Sequence, residues 1–114
     1  MALYLFRFSF VPEVWAALME SREDRRDVIA SRLFAFGGHL HGYWYSFGDY
    51  DGYALAELPD NISAAAVSTA VTASGSFRRF ETAVLLSVDE MLEALDRARE
   101  FAYESPDAHA TATS

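Results

Sequence analysis

A chain of 114 residues, 52% apolar and 15% aromatic, has the material for one domain with a real core, burying roughly two-thirds of its unfolded-chain surface. It contains no cysteine, which excludes disulfides, thiolate metal clusters and a thiol nucleophile. A net charge of −8, with no lysine and only scattered arginines, argues against nucleic acid and anionic membrane as partners.

The first predicted element is a strand over residues 3–10, with Tyr4, Phe6, Phe8 and Phe10 on one side and Leu3, Leu5, Arg7 and Ser9 on the other. Both sides are largely apolar, as suits a central strand covered on both faces. Pro12 can open a helix over 12–20, where Val14, Trp15, Leu18 and Met19 recur at helical spacing. Seven polar residues, 21–27, interrupt the pattern. Ser21 followed by Asp24 reads as a helix N-cap with an acid in the first turn. A second helix then runs to Phe36 on a stripe of Ile29, Leu33 and Phe36, and Gly37-Gly38 ends it.

Residues 43–58 read Y-W-Y-S-F-G-D-Y-D-G-Y-A-L-A-E-L, two apolar runs around turn chemistry at Gly48-Asp49-Tyr50-Asp51. They predict a β-hairpin, with strands over 40–47 and 51–58 and a three-residue loop at 48–50. Pro59-Asp60 stops the second strand, and Asp60 can cap a helix over 61–74 built of Ala, Ser, Thr and Val, small enough to lie close on a sheet, with Gly75 as its stop. A fourth strand spans 77–86. Ser87 and Glu90 form a capping box for a last helix with Met91, Leu92, Leu95 and Ala98 on one face. The small polar composition of 105–114 predicts a disordered tail. No internal repeat is present.

The order β-α-β-β-α-β plus a terminal helix folds, with right-handed crossovers, into an α+β, ferredoxin-like domain: a four-stranded antiparallel sheet with its main helices on one face. No apolar run approaches the roughly 18 residues of a membrane span, and Met1-Ala2-Leu3-Tyr4 lacks a basic leader, so the cytoplasm is the expected compartment.

At the hairpin the chain resembles the GYD domain family, small bacterial proteins named for a G-x-Y-D turn, matched here by Gly48, Tyr50 and Asp51. Gly37-Gly38, Tyr45, the run Glu57-Leu58-Pro59-Asp60 and the Ala-rich helix that follows also match, and the similarity spans roughly residues 2–95. Where family members tend to carry Lys or Arg after Gly-Gly, this chain has His39-Leu40-His41. The resemblance implies a dimeric α+β barrel in which two sheets pack through their helix-free faces. Relatives with that architecture include cofactor-independent monooxygenases, isomerases, polyketide cyclases and haem-handling enzymes. It transfers no catalytic residue.

Strand parity assigns Tyr4, Phe6, Phe8, Gly42, Trp44, Ala54, Ala56, Phe80 and Val84 to the helix-covered side. Arg7, Ser9, His39, His41, Tyr43, Tyr45, Tyr53, Leu55, Glu57, Arg79 and Glu81 then share the helix-free side, with Tyr45 paired to Tyr53, Tyr43 to Leu55 and His41 to Glu57. Such a polar-aromatic wall suits a small-molecule cleft and equally a dimer interface.

As a cleft, it would bind a small apolar or aromatic molecule positioned by Tyr43, Tyr45 and Tyr53. His41, polarised by Glu57, would be the acid/base, and Arg79 or Arg7 the partner of an anionic group. The chemistry would be cofactor-free oxidation, isomerisation or cyclisation, by analogy with the architecture's relatives. As an interface, the face makes a non-catalytic homodimer or higher homo-oligomer. A third alternative is a metal or haem at His39 and His41, which project to one face two residues apart. Asp49 and Asp51 read first as turn residues, and Trp15 and Trp44 as core. The expected partners are a second copy and a small molecule, with no cofactor, nucleic acid or membrane.

Overall fold

The structure, a computed structural model, describes residues 1–106. Four strands form one antiparallel sheet in the order β2-β3-β1-β4: β1 (Ala2–Phe10), β2 (His39–Tyr45), β3 (Gly52–Leu58) and β4 (Phe77–Leu85). Helices α1 (Pro12–Ser21), α2 (Arg25–Ala35), α3 (Asn61–Ala73) and α4 (Val88–Ala98) complete the chain. This is the α+β, ferredoxin-like arrangement expected from the element order. None of the helices described is long and apolar enough to cross a membrane. Of the tail expected over 105–114, residues 107–114 lie outside the described residues.

The core forms where β1 is covered by helices. Tyr4, Phe6, Phe8 and Phe10 are buried, as are Ala54, Ala56 and Leu58 of β3, Leu33 of α2 and Ala64 of α3. Large rings on β1 face small residues on β3, and Phe8 uses that room most fully. A Cβ on its partner Gly52 would stand 2.5 Å from the Phe8 ring.

Local signals end the helices. Gly37, at φ +83°, and Gly38 close α2: the Gly37 amide donates to the Phe34 carbonyl (3.1 Å) and the Gly38 amide to Leu33 (2.7 Å). The Ser63 amide donates to the Asp60 carboxylate at the start of α3, and both bonds of the Ser87–Glu90 capping box are present. One expected cap moves. Asp24, not Ser21, caps α2 by accepting from the Asp27 amide, while Ser21 ends α1 and its hydroxyl takes the Glu23 amide.

The hairpin departs further from the alternating pattern. Its loop is six residues, 46–51, because β2 ends at Tyr45 opposite Gly52. A bulge between Leu40 and Gly42 then inserts His41 as an extra residue. Beyond it Gly42 faces Leu55, Tyr43 faces Ala54 and Trp44 faces Tyr53. Tyr43 and Tyr45 therefore belong to the helix-covered side, against Phe8 and Trp15, and Gly42 and Trp44 to the helix-free side, the reverse of the parity expectation. Trp44 is consequently 52% exposed and not core; its ring folds over Gly42.

Candidate functional site

Helices α1 and α2 stand apart from α3 on the sheet, and a cleft of about 1300 Å³ lies between them. Phe6, Phe8, Phe77, Phe80, Tyr43 and Ala54 floor it. Leu18, Ile29 and Leu33 form one wall, and Ala66, Val67 and Ala70 of α3 the other. The small residues expected to let α3 lie close do so over β4, where Ser68 and Thr82 hydroxyls are 2.6 Å apart, and Tyr4 donates to Asn61 (2.7 Å). Toward α2 they are too short to bridge, so the gap stays open.

The polar groups of the cleft are few. Arg25 and Arg32 come from α2, Glu23 from the turn before it, where it pairs with Arg25 (2.8 Å), Glu13 and Ser21 from α1, Ser74 and Ser76 from beyond α3, and the Tyr43 hydroxyl from the floor. Burial pushes the Tyr43 hydroxyl well above the ordinary tyrosine range; neighbouring Tyr45 acts in the same direction and Arg25 against it. Burial raises Tyr45 as well. Both are neutral hydroxyls at physiological pH, able to donate a hydrogen bond to a ligand oxygen.

The eight residues singled out from the sequence fall on two faces. Tyr43 and Tyr45 are in or beside this cleft, for the register reason given above. Arg7, His39, His41, Tyr53, Glu57 and Arg79 are on the helix-free face, so His41 and Tyr43 cannot act on one molecule in one pocket. On that face His41 Nε2 lies 2.7 Å from Glu57 Oε1, and the rings of His39 and His41 meet edge to face at 4.9 Å. Among the described residues, no group of three or more His, Cys, Asp or Glu is placed to hold a metal ion. Arg7 pairs with Glu81 at 2.9 Å and not with Glu57.

The residues that the sequence reading passed over are Arg25, Phe77 and Tyr50. The six-residue loop folds over the end of β1, where the Asp51 amide donates to the Phe8 carbonyl (2.8 Å) and the Ser9 hydroxyl to the Asp49 carbonyl (3.0 Å). Asp51 Oδ2 accepts from the Phe10 amide (2.9 Å) and from the Trp15 indole (3.3 Å), tying hairpin, β1 and α1 at one carboxylate. Tyr50 lies across the helix-free face, with the Arg7 and Arg79 guanidinium carbons 4.9 and 5.2 Å from its ring centre and its hydroxyl donating to Glu81. Its signal was an aromatic in the Gly48–Asp51 turn, opposite strands that carry Arg7, Arg79 and Glu81.

A family model described as the GYD domain matches residues 4–95. The chain belongs to the GYD domain family. Tyr50 and Asp51 of this GYD domain are thus joints of the fold: Asp51 fastens three elements and Tyr50 clamps the sheet's other face. Among solved structures, the chain is similar to a crystal structure described as FFRP-DM1, with a TM-score of 0.51, 14% identity, and 75% of this chain covering 100% of that one. A hypothetical protein from Pyrococcus horikoshii, PHS023, matches with a TM-score of 0.50, 10% identity, and 76% of this chain covering 92% of that one. At such identities the likeness concerns the fold alone. No curated protein matches the chain.

The clamp makes a pH prediction. The Tyr50 hydroxyl, foremost, then Arg7 and Arg79 hold the Glu81 carboxyl below its ordinary value of 4.5, against an opposing effect of burial. A carboxyl depressed in the folded state adds stability above the unfolded value, and that stability is lost as pH falls through the folded value. Tyr50→Phe is expected to raise the Glu81 midpoint, followed by carbon-detected NMR, toward 4.5 and to flatten the loss of stability below that pH. An unmoved midpoint would show that the hydroxyl is not what holds it down.

Proposed function

We propose that this GYD domain binds a small apolar or aromatic organic molecule in the cleft between α1–α2 and α3. The observation that carries this reading is the phenylalanine floor under an open volume of about 1300 Å³. That is large enough for a ligand of drug size, whose sites commonly run to about 300–1000 Å³. Phe6, Phe8, Phe77 and Phe80 offer ring edges and faces to a flat apolar body. The Tyr43 hydroxyl, kept neutral by burial, donates to a carbonyl, phenol or carboxylate oxygen, and Arg25, whose charge Glu23 partly offsets at 2.8 Å, lies beside it. The cleft faces away from His41 and Glu57, so binding, not acid/base turnover by that pair, is the function supported here.

The test is a titration of 2-naphthol into nitrogen-15-labelled protein. Saturable shifts are expected at Tyr43, Val67 and Phe80, and Ala70→Trp, which puts an indole into the cleft, should weaken binding by about tenfold or more, or ~1.4 kcal/mol. Absence of saturable shifts, or an unchanged affinity in folded Ala70→Trp, would sink the reading.

A second reading concerns the helix-free face. Half-exposed Trp44, with Leu5 and Leu55 beside it, favours a contact between two copies of the chain across their sheets. This places His41–Glu57 and Arg7–Glu81 at a homodimer contact and leaves the cleft free for its ligand.

A further inference from the structure

α4 follows edge strand β4 after two residues and makes no extensive contact with another element described. Its apolar residues Val88, Met91, Leu92 and Leu95 recur at i, i+3, i+4 and i+7, and they are 76%, 46%, 55% and 50% exposed. The opposite face is charged, with Arg97 paired to Glu93 (3.2 Å), and the C-cap Arg99 pairs with Asp96 (2.7 Å). An eleven-residue helix is marginal in water by itself, even when capped as well as this one, so its stripe requires cover.

What covers it can be narrowed. Residues 107–114, Asp-Ala-His-Ala-Thr-Ala-Thr-Ser, bring no apolar side chain larger than alanine. A lipid surface suits it poorly, because Asp89, Glu90, Glu93 and Asp96 outnumber Arg97 on the helix, and anionic headgroups attract basic faces. A second copy offers what is missing. Its helix-free face carries Leu3, Leu5, Leu55, Leu85 and half-exposed Trp44, with no described helix across it. Arg7 and Arg79 there offset Glu57 and Glu81, so no acid excess meets the acids of α4. Leu85 belongs to that face and stands three residues before Val88, so α4 departs from its margin.

We propose that α4 is an exchanged arm, seated through its Val88–Leu95 stripe on a second copy of the chain, which returns its own α4 about a two-fold axis. Seated there, the arm stands between the two helix-free faces, and it makes the dimer depend on a segment that the body of the fold does not need.

The absence of cysteine makes the test clean. Arg97→Cys, on the exposed polar face of the helix, takes a single nitroxide, and that chain, unlabelled with nitrogen-15, is mixed with labelled chains bearing no nitroxide. Broadening of amides in the labelled chains is then intermolecular and is the expected result. Light scattering should give the wild type the mass of two chains, and Leu92→Asp/Leu95→Asp the mass of one, with its sheet circular dichroism intact. Absence of broadening in the mixture, a wild type running as one chain, or a double variant that keeps the two-chain mass would each overturn the proposal. So would loss of the two-chain species into phosphatidylglycerol vesicles, which assigns the stripe to lipid.

Discussion

Phe8→Ala lowers the free energy of unfolding by about 3–5 kcal/mol, a large share of the roughly 5–15 kcal/mol that holds an average domain together. The Phe8 side chain is 3% exposed, and its ring is bracketed by Phe10 and Phe77 at 5.4 Å, Tyr43 at 5.6 Å and Phe80 at 6.2 Å. Its cross-strand partner is Gly52, which has no side chain to move into the space a missing ring would leave. The neighbouring rings are braced against one another, so the site collapses poorly and the cost falls toward the upper end of the range. Urea denaturation at constant m value is the measurement. Phe34→Ala is the control: it removes the same ring where it is 79% exposed, and stability should stay within about 0.5 kcal/mol. A Phe8→Ala loss no larger than that of the control would mean that the aromatic cluster is not the keystone of the core.

The cluster was legible in the sequence because a central strand states its pattern twice, with rings at 4, 6, 8 and 10 and the partner small at 52, 54 and 56. Helix ends were legible for the same local reason: Gly37-Gly38 and the Ser87–Glu90 box each need only neighbours in sequence to act. The faces of β2 were not. Alternation says which residues share a side only while the count is unbroken, and one extra residue at His41 reverses everything after it. Both arrangements of H-G-Y-W-Y bury aromatic surface, so hydrophobicity does not choose between them. The trace left in the sequence is Gly42: a Cβ there would stand 2.3 Å from the Trp44 ring that lies over it. The site inherits this reversal, which moves Tyr43 and Tyr45 from the histidine face to the cleft. The cleft depends also on the distance between α2 and α3, and no residue pattern within either helix encodes that distance.

Asp51→Ala costs about 2–3 kcal/mol, and Asp51→Asn costs less than half as much. Asp51 gives its name to the family turn, yet its carboxylate points away from the loop's exposed tip and into the fold, accepting from the Phe10 amide and the Trp15 indole through one oxygen. Alanine leaves both donors without a partner; a hydrogen bond to a charged acceptor is worth about 1.5–3 kcal/mol, and the 2.9 Å bond from Phe10 carries most of it, the 3.3 Å indole bond little. Asparagine keeps the volume and an acceptor oxygen at the same reach and loses only the charge, so the difference between the two variants separates the hydrogen bonds and their side-chain volume from the loss of charge. Urea midpoints give the energies, and the near-ultraviolet circular dichroism of Trp15 reports whether α1 has come loose from the hairpin. Equal losses in the two variants would assign the effect to charge. Because Asp51 lies outside the cleft, folded Asp51→Asn should bind 2-naphthol as the wild type does, which separates what defines the turn from what would hold a ligand.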